Sequence, residues 1–85
     1  MNSIPYDRLR ANLTAQKLIN ALLRAGFTLR RSNGAHRQYV HPDGRRVTVT
    51  YHVSSDTFPT KTLKRIIEEQ AQWSEADLKR LKLLK

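Results

Sequence analysis

The chain has 85 residues, enough for one small domain, and it contains no cysteine, which excludes a disulfide framework and a thiolate zinc site. Sixteen lysines and arginines against seven acidic residues give a net charge of +9, so a polyanion is the natural partner. A protein that binds nucleic acid is favoured over a soluble protein that is basic without such a partner. Residues 1–53 carry nine basic and two acidic side chains, whereas residues 54–85 carry seven and five.

The sequence predicts neither a signal peptide nor a membrane-spanning segment. The first eight residues lack the apolar core of a signal peptide. No apolar run approaches the roughly 20 residues that span a bilayer. Together with the absence of cysteine, this pattern predicts a cytoplasmic protein.

Residues 1–13 allow two interpretations. Tyr6, Leu9 and Leu13 have helical spacing, which favours a short helix after Pro5. A loosely docked arm fits the same residues equally well.

The first main helix is predicted over residues 14–25. Thr14 is a suitable N-cap, and Gly26 suits a left-handed position after the last turn. The apolar residues between them have the i, i+3, i+4, i+7 spacing of an amphipathic helix: Ala15, Leu18, Ile19 and Leu22.

A three-stranded antiparallel meander follows. Residues 27–31 alternate between apolar and polar, and Ser32-Asn33-Gly34 and Pro42-Asp43-Gly44 each combine two turn-forming residues with a glycine. A three-residue loop at the second turn places His36 opposite Thr50, and the same loop at the first turn places Arg30 opposite His36. The predicted apolar face consists of Phe27, Leu29, Tyr39, Val47, Val49 and Tyr51.

Two helices are predicted after a loop at residues 52–59. Thr60 or Thr62 begins the second main helix, and a Ser74-x-x-Asp77 capping box begins a short third one. Trp73 is interpreted as a packing residue. The buried stripe of the second main helix is Leu63, Ile66, Ile67 and Ala71.

This order of elements predicts an α+β domain of the α-β-β-β-α type with a short extra C-terminal helix. Both main helices need an apolar surface and the sheet offers one such face, so they share it and leave the face with His36 open to solvent. We expect a single domain over residues 1–85, with an extension at 1–13, a core at 14–73 and a terminal helix at 74–85.

Several segments together resemble the HicA toxins. They are Gly-Ala-His-Arg-Gln-Tyr at 34–39, His-Pro-Asp-Gly-Arg-Arg-Val-Thr-Val at 41–49, His52, and Pro59-x-x-Thr62-Leu63-x-x-Ile66-Ile67. The similarity covers about residues 14–73. It implies a fold similar to a double-stranded RNA-binding domain, and it implies an mRNA interferase that is neutralised by a HicB-type antitoxin.

The resemblance also implies a catalytic residue. The catalytic histidine of the family follows a Gly-Ser pair and maps onto His36, with Ala35 in place of the serine. Residues 1–12 look like an extension to the family pattern. Cleavage of this kind implies neither metal nor cofactor.

Metal-free RNA cleavage has clear chemical requirements. The ribose 2′-hydroxyl is the nucleophile, a base takes its proton, cations bind the phosphate and an acid protonates the leaving 5′-oxygen. An imidazole titrates near pH 6.5 and can serve as base or acid. Thr50 and His52 are candidate accessory residues. The candidate RNA-binding cations are Arg30, Arg31, Arg37, Arg45 and Arg46.

Two alternatives to an endoribonuclease with His36 at its centre stay open at this point. A non-catalytic RNA-binding module would show the same basic charge, as would a relative that has lost its activity. A zinc site of His36, His41 and His52 is disfavoured, because the predicted pairing puts His41 on the opposite face from His36.

Overall fold

The computed structural model describes residues 4–84 and confirms the predicted α-β-β-β-α order with an extra C-terminal helix. Residues 1–3 of the predicted extension and Lys85 of the predicted terminal helix lie outside the described residues. The elements are α1 (Tyr6–Asn12), α2 (Ala15–Arg24), β1 (Thr28–Asn33), β2 (His36–Val40), β3 (Arg46–Thr50), α3 (Thr60–Lys64) with a π-helical continuation (Arg65–Gln70), and α4 (Glu75–Arg80).

The segment before α2 is a helix that belongs to the core. Ile4, Leu9 and Leu13 are buried, and α1 packs against α3. The Tyr6 hydroxyl donates a hydrogen bond to the Glu68 carboxylate in the π-helical segment. Burial and this neighbouring carboxylate raise the pKa of Tyr6. The helical interpretation of this segment is therefore correct, and the loosely docked arm is not.

The N-terminus of α2 is held by the loop that follows the sheet. The Thr14 hydroxyl accepts a hydrogen bond from the Lys17 amide, as expected of an N-cap. The amides of Ala15 and Gln16 donate to the carbonyls of Asp56 (2.8 Å) and Ser54 (3.0 Å). These bonds satisfy the free amides of the first turn and fix the loop against the helix.

The second hairpin has the predicted geometry. Gly44 has a φ of +101°, the left-handed conformation that the turn requires. The His41 amide donates to the Arg45 carbonyl at 2.9 Å, which closes the three-residue loop. His36 therefore lies opposite Thr50, as predicted.

The first hairpin differs from the prediction. His36 pairs with Asn33, so the loop contains only Gly34 and Ala35, and β1 has a bulge at Arg30. Gly34 has a φ of +61°, and a glycine at the first central position is typical of a two-residue hairpin loop. The predicted row of Arg30, His36 and Thr50 is thus wrong at Arg30, and Asn33 takes that place.

The buried face of the sheet is smaller than predicted. Tyr39, Val47 and Val49 are buried, but Leu29 is 50% exposed, so its predicted core position is wrong. All six residues of β1 are exposed, whereas β3, the other edge strand, packs against the π-helical segment. Phe27, immediately before β1, is buried, as predicted.

The third helix begins at Thr60, and its predicted buried stripe is confirmed. Its last turns widen into the π-helical segment, where the Ala71 amide donates to the Ile66 carbonyl. The Gln70 side chain accepts a hydrogen bond from the Thr48 amide at 3.0 Å. Gln70 therefore covers part of the outer edge of β3.

The chain ends in a short helix with the predicted capping box between Ser74 and Asp77. The Ser74 amide lowers the pKa of the Asp77 carboxyl by donating a hydrogen bond to it. Trp73 is buried and lies edge-on to Phe27 at 6.3 Å, which confirms its packing role. Within residues 4–84, no helix is long and apolar enough to cross a membrane.

Because α1 is part of the core, we expect Leu9→Ala to lower the free energy of unfolding by about 2–5 kcal/mol, the usual cost of a large-to-alanine core substitution. Urea denaturation followed by circular dichroism measures this change. Arg10→Ala, at an exposed neighbour, is the control and should change the free energy by less than about 0.5 kcal/mol. Equal effects of the two substitutions would contradict a core role for α1.

Candidate active site on the open sheet face

The side of the sheet that faces away from the core carries a continuous polar surface, which we call the open face. Cross-strand partners share a face, so the pairings define its members. Seven of the nine are exposed and the other two, Gln38 and Val40, are half-buried. The open face consists of Thr28, Arg31, Asn33, His36, Gln38, Val40, Arg46, Thr48 and Thr50.

His36 is held by a specific contact on this face. It is the first residue of β2, and its Nδ1 atom lies 2.9 Å from the hydroxyl of Thr50, the last residue of β3. Both side chains are exposed. Because Nδ1 is engaged with Thr50, Nε2 is the ring nitrogen that is left to meet a ligand.

The Thr50 hydroxyl also affects which nitrogen of the neutral His36 ring carries the proton. A hydroxyl can accept a hydrogen bond from a protonated Nδ1 or donate one to an unprotonated Nδ1. When it accepts, the neutral His36 ring carries its lone pair on Nε2, and it can act as a base toward solvent. When it donates, Nε2 carries the proton.

His41 lies elsewhere and has a structural role. Its ring packs edge-on against Phe27, with the ring centroids 5.1 Å apart. Its Nδ1 accepts a hydrogen bond from the Asp43 amide at 3.1 Å. A Cβ atom at Gly26 would approach its Nε2 to 3.0 Å, so the glycine leaves room for the ring.

His52 is exposed, and its backbone is fixed. The Asp56 carboxylate accepts hydrogen bonds from the amides of His52 (2.9 Å) and Val53 (3.2 Å), which lower the pKa of Asp56. Among residues 4–84, no group of three or more histidine, aspartate or glutamate side chains is arranged to hold a metal ion.

Two of the predicted RNA-binding arginines are engaged inside the protein. The Arg37 guanidinium lies 4.1 Å from the centre of the Tyr51 ring. Arg45 donates to the Asp43 carboxylate at 2.8 Å and to the Ala71 carbonyl. Both arginines are half-buried, and their roles toward RNA stay predictions.

The other three predicted arginines are exposed. Arg31 and Arg46 belong to the open face, and Arg30 occupies the bulge of the edge strand. Within residues 4–84, none of the three takes part in an ion pair. None of the acidic residues of the chain lies on a strand, so the positive charge of the sheet is not neutralised there.

The sequence did not reveal which residue lies beside His36 on β1. Asn33 holds that position, and Arg31 lies in the next row beside Gln38. A glycine fits both a two-residue and a three-residue hairpin loop, so no local signal distinguishes the two registers.

The fold and the open face define a small α+β domain whose basic sheet surface presents one fixed histidine. A family model described as "HicA toxin of bacterial toxin-antitoxin" matches residues 15–73, which include α2, the whole sheet and α3. The chain therefore belongs to this family of toxins, and an antitoxin is the kind of partner that the family implies. No curated protein matches the chain.

We expect Thr50→Val to change the tautomer balance of His36, because valine keeps the branched shape but cannot hydrogen-bond to Nδ1. The ¹⁵N chemical shifts of the two ring nitrogens report this balance directly. Thr50→Ser should retain the wild-type shifts, and Thr48→Val serves as a control on the same strand and face. Unchanged shifts in Thr50→Val would show that the contact does not govern the ring.

Proposed function

We propose that the chain is a toxin endoribonuclease, an mRNA interferase that needs no metal, with His36 as its catalytic base and a HicB-like antitoxin as its inhibitor. One observation carries the proposal. His36 is exposed on a sheet face that carries no acidic residue, with Nδ1 held by Thr50 and, within residues 4–84, with no hydrogen-bond partner for Nε2. Membership of the toxin family supports it.

The reaction begins with the ring in the tautomer in which Nδ1–H donates to the Thr50 hydroxyl. Nε2 then accepts the proton of a ribose 2′-hydroxyl, and the 2′-oxygen attacks the adjacent phosphorus. The P–O5′ bond breaks, which leaves a 2′,3′-cyclic phosphate on one fragment and a 5′-hydroxyl on the other. Water at this exposed surface donates the proton that the departing 5′-oxygen takes up.

Negative charge grows on the phosphate during the attack, and an arginine near His36 would stabilise it. The sequence favoured Arg30 for this role, but the observed register does not place Arg30 beside His36. Arg31 is better placed, because it lies in the neighbouring row, roughly 7 Å along the strands from His36. A guanidinium on a long side chain can span that distance.

Ala35, which stands where the resemblance implies a serine, takes part in the backbone pairing beside the site. The Ala35 carbonyl accepts a hydrogen bond from the Tyr51 amide at 3.1 Å, which extends the pairing of β2 and β3 beyond His36. The missing hydroxyl is the observation that favours the alternative, an RNA-binding relative without cleavage. Cleavage assays separate the two.

His36→Ala should lower RNA cleavage by at least about 100-fold, since a positioned acid–base group contributes roughly 10²–10⁴ in rate. RNA affinity should change little, because phosphate contacts dominate it. The assay is done in EDTA, with circular dichroism to verify folding, and Glu69→Ala, at an exposed position of the π-helical segment, is the control. Cleavage that survives in His36→Ala, or that EDTA abolishes in the wild type, would refute the mechanism.

The pH dependence of cleavage tests the protonation state of the base. A neutral imidazole takes up the proton, so kcat/KM should rise with pH as the histidine base loses its own proton. Thr50→Val should lower kcat and change the pH range over which kcat/KM rises, while Thr50→Ser should restore both. A rate that falls as pH rises would instead require His36 to act as an acid.

A further inference from the structure

We infer that the substrate of this site is an unpaired RNA strand that lies along β2 on the open face, with Gln38 and Thr48 contacting the base next to the cleaved phosphate. Arg31 and Arg46 hold the backbone of that strand. The inference rests on the proposed function, because it takes the His36–Thr50 pair as the point of cleavage.

The pairings arrange the open face in three successive rows across the strands. The first row contains Asn33, His36 and Thr50, the second contains Arg31, Gln38 and Thr48, and the third contains Thr28, Val40 and Arg46. Successive rows are roughly 7 Å apart, since residues on one face of a strand alternate with a repeat of two. This spacing is comparable to the repeat of an extended polynucleotide, so neighbouring nucleotides would meet neighbouring rows.

The second and third rows offer polar groups that the protein itself does not use. Within residues 4–84, the side chains of Arg31, Gln38, Arg46 and Thr48 form no ion pair and no hydrogen bond, although the Thr48 amide donates to Gln70. A side-chain amide has donors and an acceptor, which suits it to the edge of a base. Gln38 and Thr48 lie directly opposite each other, so both can contact one base.

The geometry of the reaction and of the face both favour an unpaired strand. In an A-form duplex, the 2′-hydroxyl is not aligned with the P–O5′ bond, so in-line attack requires a nucleotide that has left the helix. The face spans three strands, about 10 Å in width. Sequence-specific contacts to RNA are made mostly to unpaired bases, whose edges are accessible.

The residue types of the open face predict base preference. Proteins that bind single strands without preference stack bases on aromatic side chains. The open face has no aromatic residue, because Phe27, Tyr39 and Trp73 are buried and Tyr51 lies under Arg37. Recognition here therefore depends on hydrogen bonds and charge, which give selectivity at modest affinity.

The first arm of the test measures binding without cleavage. An unstructured 2′-O-methyl oligonucleotide pool lacks the nucleophile, so the wild-type protein binds it but cannot cut it. Arg46→Gln should weaken binding several-fold and reduce the salt slope by about 0.7, the value for one phosphate contact in a single strand. Arg65→Gln removes the same charge from the exposed helical side and should have little effect. A 2′-O-methyl hairpin duplex should compete poorly with the unstructured pool for binding to the wild-type protein.

The second arm measures base preference. Sequencing the fragment ends from a pool of unstructured RNAs gives the preference around the cleaved bond. Gln38→Ala should relax the preference at one adjacent nucleotide by roughly 5- to 100-fold. Gln16→Ala, the same substitution at an exposed position of α2, should leave it unchanged. A preference that is identical in Gln38→Ala and the wild type would overturn the role of Gln38.

The two arms separate failure of this inference from failure of the proposed function. If the wild type does not cleave, the proposed function fails, and selection from the 2′-O-methyl pool still tests whether Gln38 selects a base. Equal losses of RNA affinity in Arg46→Gln and Arg65→Gln would overturn the placement of RNA on the open face. The inference would also be overturned if Arg46→Gln weakened binding of the antitoxin and left RNA binding intact.

Discussion

The tight turn between β2 and β3 determines where the β2 and β3 residues of the open face lie. Pro42-Asp43-Gly44 closes a three-residue loop, and the Asp43 carboxylate bonds both the amide and the guanidinium of Arg45. Arg45 in turn reaches the Ala71 carbonyl at the end of the third helix, while His41 packs on Phe27. The turn is thus anchored in the core, and a slip of one residue would move His36 from the open face to the buried one.

The rest of the fold leaves that one surface available. The helices cover the face that contains Tyr39, Val47 and Val49. Gln70 bonds the outer edge of β3, and the bulge at Arg30 makes the edge of β1 irregular, two features that discourage pairing with another strand. Of the two faces of the sheet, the open face is therefore the one that is left exposed.

The accuracy of the sequence prediction follows from how strongly each feature is specified locally. Proline and glycine specify the second hairpin, so the pairing of His36 with Thr50 was predicted correctly. The first hairpin was predicted in the wrong register, because its glycine fits two loop lengths. Because all six residues of β1 are exposed, the register with the longer loop would not lose buried apolar contacts. The partners of Arg37 and Arg45 depend on tertiary contacts, which no local pattern reveals.

The corrected register also changes the physical account of the histidine. A neighbouring Arg30 would have favoured the neutral ring by charge repulsion, an effect that salt screens at an exposed site. Asn33 takes that place, and the ring makes its contact with the neutral hydroxyl of Thr50 through a directional bond at 2.9 Å. Such a bond fixes the orientation of the ring, and it accommodates either tautomer because the hydroxyl can accept from or donate to Nδ1. Under the proposed function, orientation of a single imidazole by its cross-strand partner is the means by which so small a sheet would present a base to a phosphate on its surface.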